Sequence, residues 1–130
     1  MTAAVVYLTN DLLFSSRVGA VAGARAVEVA VVRSLSDLTA QLAGGKVRLV
    51  LVDLDHRDAD MPAVRRSVTE LSSPRALVVA YASHVKEDRL AAAARAGADR
   101  VLSRGQFDRQ LSEILDLARD VASDSPSSPE

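Results

Sequence analysis

Short apolar runs alternate with amphipathic stretches along these 130 residues, and this pattern predicts a doubly wound α/β domain, (βα)5, around a parallel sheet. Three observations carry the prediction. Val47 to Val52 and Ala76 to Ala80 are almost wholly Val, Leu and Ala, as strands covered on both faces must be. Between the runs, apolar residues recur at three- and four-residue spacing. Polar residues able to cap a helix follow the strands, and a chain of this length can bury one core.

The first strand is expected over Ala3 to Leu8, followed by Thr9-Asn10-Asp11 and a helix with Phe14, Val18 and Val21 on one face and Gly23 near its end. The second strand reads from Ala26 to Val32. Its interior Glu28 suits a sheet edge, where a carboxylate reaches water. Ser34 opens a short helix carrying Leu35, Leu38 and Leu42, which Gly44-Gly45 stop. After the third strand, Asp53 leads into a polar loop over residues 54–60 that reads as solvated. Asp60 before Met61-Pro62 is a helix start, and Val64, Val68 and Leu71 give that helix its buried stripe. Ser72-Ser73-Pro74 end it. The fourth helix turns Leu90, Ala93 and Ala94 inward, and Gly97 falls where a left-handed cap is expected. Arg100 to Leu102 is a short fifth strand, and Phe107, Leu111, Ile114, Ala118 and Val121 line one last helix. The domain is placed at residues 1–122, with a Ser/Pro/Asp-rich disordered tail over 123–130.

Composition removes whole classes of function. The chain has no cysteine, so disulfide scaffolds, thiolate metal sites and cysteine nucleophiles are excluded. Sixteen Lys and Arg, scattered against seventeen Asp and Glu, argue against nucleic acid and anionic membranes as partners. No apolar run approaches the roughly 20 residues of a membrane helix, and no basic region precedes the first apolar stretch, so a cytoplasmic location is expected. No glycine-rich phosphate loop or nucleophile elbow occurs.

Open parallel sheets gather their chemistry at the carboxyl ends of the strands. Those ends place Asn10 and Asp11, Asp53 and Asp55, Tyr81 and Ser83, and Arg104 on one face, with His84 close by. Leu49-Val50-Leu51-Val52-Asp53-Leu54, Ala96-Gly97-Ala98-Asp99-Arg100-Val101-Leu102 and Phe107 after Arg104 resemble the receiver domain of bacterial response regulators, over roughly residues 3 to 121. The resemblance implies a flavodoxin-like sheet of order 2-1-3-4-5 with helices on both faces. It further implies that Asp53 stands at the phosphoacceptor position, Asn10 and Asp11 at the acidic pair, Tyr81 or Ser83 at the switch hydroxyl, and Arg104 at the lysine.

The departures from that pattern have physical meaning. One carboxylate in place of two weakens the attraction for Mg²⁺, leaving Asp11 and Asp53 as a thin ligand set. Tyr81 is bulkier than the usual threonine. Arg104 presents a planar fork suited to a carboxylate, and pairing with Asp53 is expected. The expected function is a degenerate or pseudo-receiver acting through protein partners without a cofactor. The alternatives are a working Mg²⁺-dependent phosphoacceptor using Asp53, and a small flavodoxin-like ligand-binding domain. A homodimer is expected through the fourth helix, fifth strand and last helix, where Asp99, Asp108 and Asp116 could pair reciprocally with Arg89, Arg95, Arg100 and Arg109. Among other readings, Asp55, His56, Asp58 and Asp60 lack the glycine and terminal glutamate of a calcium loop, and His56 lacks the aspartate at position 54 of a cobalamin motif.

Overall fold

A computed structural model describes residues 3–83 and 85–127. Five parallel strands, β1 (Val5–Leu8), β2 (Val29–Val32), β3 (Leu49–Asp53), β4 (Leu77–Ala82) and β5 (Arg100–Ser103), lie in the order β2-β1-β3-β4-β5. This is the order expected from the sequence. The central strands are covered on both faces, which explains their unbroken Val and Leu: every residue of β1 and β3 is buried.

Helices pack on each side. One face holds α1 (Leu12–Ala24), α5 (Arg104–Arg109) and α6 (Leu111–Ser127), with Val18, Phe107, Leu111 and Ile114 in the core. The other holds α2 (Leu35–Ala43), α3 (Met61–Leu71) and α4 (Glu87–Arg95), contributing Leu38, Leu42, Val64, Val68 and Ala93. The caps are those the sequence offers. Asp11, Ser34 and Asp60 accept from the backbone N–H groups of Phe14, Asp37 and Ala63 at 2.9, 3.0 and 3.1 Å. Gly97 has a φ of +110°, a turn that favours glycine, and a Cβ there would lie 3.0 Å from Cγ of Arg65, so that side chain would have to shift.

Several boundaries move, each for a local reason. Ala26 sits at φ +58°, turning the chain between α1 and β2, so the second strand begins only at Val29 and Glu28 precedes it. Leu71 is 39% exposed rather than buried, because α3 ends there: the N–H and hydroxyl of Ser72 both donate to the Val68 carbonyl, at 3.1 and 2.6 Å. Ala94 is exposed, since a nine-residue helix touches the sheet along the line of Leu90 and Ala93 alone. The last helix is two. Ser103 and Gln106 form a capping box that starts α5, and the chain breaks at Gln110 before α6. α6 has its bounds at Leu111 and Ser127. Residues 128–130 and the side chain of Val121 lie outside those described. No helix among the described residues is long and apolar enough to cross a membrane.

Candidate functional site

The carboxyl ends of β1 and β3 and the start of α5 enclose a pocket of about 570 Å³ lined by Asn10, Asp11, Asp53, Asp55, His56, Arg57 and Arg104. The fold builds it at the point where the strand order reverses, between β1 and β3.

Asp53 is the last residue of β3 and is 5% exposed. Its two oxygens have separate donors: the Thr9 hydroxyl donates to Oδ2 at 2.7 Å, and the Asp55 N–H donates to Oδ1 at 3.0 Å. Thr9 is itself 1% exposed, and its hydroxyl accepts from the Asp11 N–H at 3.0 Å. Thr9 therefore ties the ends of β1 and β3 together. In the sequence Thr9 is one of three polar residues before α1, and nothing in one chain's pattern marks a threonine as the partner of an aspartate 44 positions away.

The expected Asp53–Arg104 pair is not formed. The Arg104 guanidinium pairs instead with the carboxylate of Asp11 and lies 4.9 Å over the ring of Phe14. The reason is geometric. Asp11 and Phe14 belong to one helical turn at the mouth of the pocket, and together they offer a carboxylate and a ring face to the first residue of α5. The Phe14 N–H and the Arg104 guanidinium hold the Asp11 carboxyl below the usual carboxylate range, and Asp11 holds the Arg104 guanidinium above its ordinary value. Asp53 makes no ion pair among the described residues.

Tyr81 pairs with Asp53 in the β3–β4 register but does not line the pocket. β4 runs to Ala82, two residues past the expected end, and Tyr81 is fully buried beneath α1 and α5. Its ring stacks on Phe107 at 4.4 Å, and its hydroxyl shares a 2.5 Å hydrogen bond with that of Tyr7. Burial pushes the Tyr7 phenol up to about 12 and the Tyr81 phenol still further upward. The strand tip is thus the methyl of Ala82, and Ser83, just beyond it, is half-buried. His84 lies outside the described residues.

The loop after β3 is knitted into the fold rather than simply solvated. His56 is 7% exposed, and its Nδ1 accepts from the Asp58 N–H at 2.9 Å. Asp58 accepts from the N–H of Leu35 at 3.1 Å, bracing the start of α2, and Asp60 caps α3. Asp55 takes both Lys86 at 2.6 Å and Arg89 at 2.8 Å.

The Asp11 carboxylate is committed to the α1 backbone and to Arg104, and no three His, Asp or Glu side chains among the described residues converge as ligands. The reciprocal ion pairs expected for a dimer are also spent inside the chain. Asp99 pairs with Arg75, Asp108 with Arg17, Asp116 with Arg25, and Arg89 with Asp55. Arg95, Arg100 and Arg109 make no ion pair among the described residues.

A doubly wound domain with a lone buried aspartate at its switch point is the class these features define. Neither a protein-family model nor a curated protein sequence matches the chain. Solved structures do. A response regulator from Thermotoga maritima superposes with a TM-score of 0.72 at 18% identity, covering 92% of this chain and 99% of that one. The beryllofluoride-activated NtrC4 receiver domain, described as a dimer, gives 0.69 at 15% identity over 88% and 97%. The Saccharomyces cerevisiae complex of the phosphotransfer protein Ypd1 with the receiver domain of Ssk1 gives 0.73 at 11% identity over 96% and 94%. The fold is that of response-regulator receiver domains.

Proposed function

We propose that this chain is an atypical receiver module that acts through contacts with protein partners and does not take up a phosphoryl group at Asp53. The observation that carries the reading is the capture of Arg104 by Asp11 and Phe14. A receiver that accepts phosphate needs a cation free to meet the transferred oxygens and carboxylates free to hold a dication. Here the one residue at the lysine position and the one acid at the end of β1 neutralise each other. Ala82, at the tip of β4, has no hydroxyl to offer those oxygens. The similar NtrC4 and Ssk1 receivers are described in protein assemblies, which supports protein recognition as the output of this fold.

The test is incubation of the wild type and of Arg104→Lys with acetyl phosphate and Mg²⁺, read by intact mass. The expected result is no phosphoryl adduct on either protein. An adduct on wild type that is lost in Asp53→Asn would overturn the reading in favour of a working phosphoacceptor.

A further inference from the structure

We infer that the Asp53 pocket is a docking site for a basic side chain, Arg or Lys, carried by a protein partner with apolar residues beside it. This rests on the reading of the chain as an interaction module and names what its site recognises.

The charges in the pocket are matched with one buried exception. Arg104 is neutralised by Asp11, and Asp55 by Lys86 and Arg89. Arg57 is exposed at the mouth, where water solvates it. Asp53, nineteen-twentieths buried, has two hydrogen-bond donors and no cation among the described residues. A carboxylate offers about four acceptor positions, so half of its capacity is unused. A buried carboxylate held this way gains most from a cation brought from outside, because the low local dielectric strengthens the pairing.

A second observation points to a ligand with an acceptor as well as a cation. With Nδ1 of His56 accepting from Asp58, the ring carries its proton on Nε2, and this buried nitrogen has no partner among the described groups. His56 lines the same pocket. A main-chain carbonyl next to an inserted Arg or Lys supplies the missing acceptor. Apolar surface follows the pocket residues in the chain: Leu12 and Leu13, directly after Asn10 and Asp11, are 64% and 87% exposed. Two exposed leucines next in the chain to the residues lining a buried anion suit a basic residue with an apolar neighbour, and neither suits a free metal ion or an inorganic anion.

The experiment is an amide-shift titration of the ¹⁵N-labelled chain with N-acetyl-argininamide, with neutral N-acetyl-glutaminamide as comparator, and with the tripeptide N-acetyl-Leu-Arg-Leu-amide. Saturable shifts centred on Asn10, Asp11, Asp55 and His56 are expected with the two arginine probes alone. Asp53→Asn should weaken both by about tenfold or more, the loss of a charge-assisted contact. Leu13→Ser should weaken the tripeptide and leave argininamide unchanged. Equal shifts from the glutamine probe, unchanged affinity in Asp53→Asn, or shifts centred elsewhere on the surface would overturn the inference. If Asp53→Asn does not fold, the location of the wild-type shifts and the Leu13→Ser comparison decide. Failure here with no phosphoryl adduct in the acetyl phosphate experiment rejects the basic-residue site alone, whereas an adduct rejects the module reading itself.

Discussion

The hydrogen bond between Tyr7 and Tyr81 can be isolated by a double-mutant cycle in urea. Both phenols are fully buried, and their hydroxyls meet at 2.5 Å. Tyr7→Phe deletes one hydroxyl and leaves that of Tyr81 without its partner, while the ring contacts of Tyr81 with Phe107 at 4.4 Å and Phe14 at 5.7 Å stay in place. Each single substitution is therefore expected to cost about 1–3 kcal/mol, the penalty for stranding a buried hydroxyl. The double substitution removes donor and acceptor together and leaves two phenyl rings in an apolar layer. It should cost no more than either single change, giving a coupling of about 1–3 kcal/mol. Equilibrium urea unfolding of the four proteins, with unchanged m-values, measures this. Additive costs, or single variants as stable as the wild type, would refute the idea that these hydroxyls satisfy each other and that Tyr81 is a core residue.

Three further outcomes are expected. Thr9→Val removes the hydroxyl donor to Asp53 and should destabilise by about 1.5–3 kcal/mol, read by thermal unfolding, because the acceptor is a buried carboxylate; a neutral effect would contradict the tie between β1 and β3. Gly97→Ala combines a left-handed φ with a clash against Arg65 and should cost roughly 1–3 kcal/mol, whereas Gly19→Ala, with open space around its Cβ, should be neutral or slightly stabilising. Burial raises the folded-state phenol of Tyr7 from 10.0 to about 12, so its contribution is complete below about pH 10 and is lost as pH rises toward 12. Asp11, lowered in the fold from its usual 3.8, works in the opposite direction: its contribution is present above that value and lost as pH falls through the depressed one. Unfolding free energy measured across both limbs should show both losses, the alkaline one absent in the Tyr7→Phe, Tyr81→Phe double variant.

The fold was legible because its signals are local. Continuous Val and Leu in β3, the cap residues Asp11, Ser34 and Asp60, and Gly97 each report their own backbone environment. The boundaries that slipped depend on neighbours: β4 reached Ala82 because β3 pairs with it to Tyr81 and β5 to Ala82, and the capping box of Ser103 and Gln106 starts a separate short helix that ends at Gln110. The site was legible as a set of residues and not as a set of pairings. Asn10, Asp11, Asp53 and Arg104 do line one pocket, as the strand-end rule requires. That Arg104 would choose Asp11 over Asp53 depended on Phe14 standing beside it, and that Tyr81 would turn inward depended on Tyr7 and Phe107 receiving it. The phenol of Tyr81 is buried with its hydroxyl on a second buried phenol, Tyr7.

The partner of Arg104 decides between a closed site and a working one, and the side-chain ¹⁵N signals of that guanidinium report it. Asparagine still caps a helix, so Asp11→Asn removes the charge opposite Arg104 and spares the start of α1. The Arg104 resonance should shift and exchange faster with water in Asp11→Asn while staying nearly unchanged in Asp53→Asn. A resonance that responds to Asp53→Asn and ignores Asp11→Asn would place the guanidinium on Asp53 and contradict the Arg104–Asp11 pairing described above.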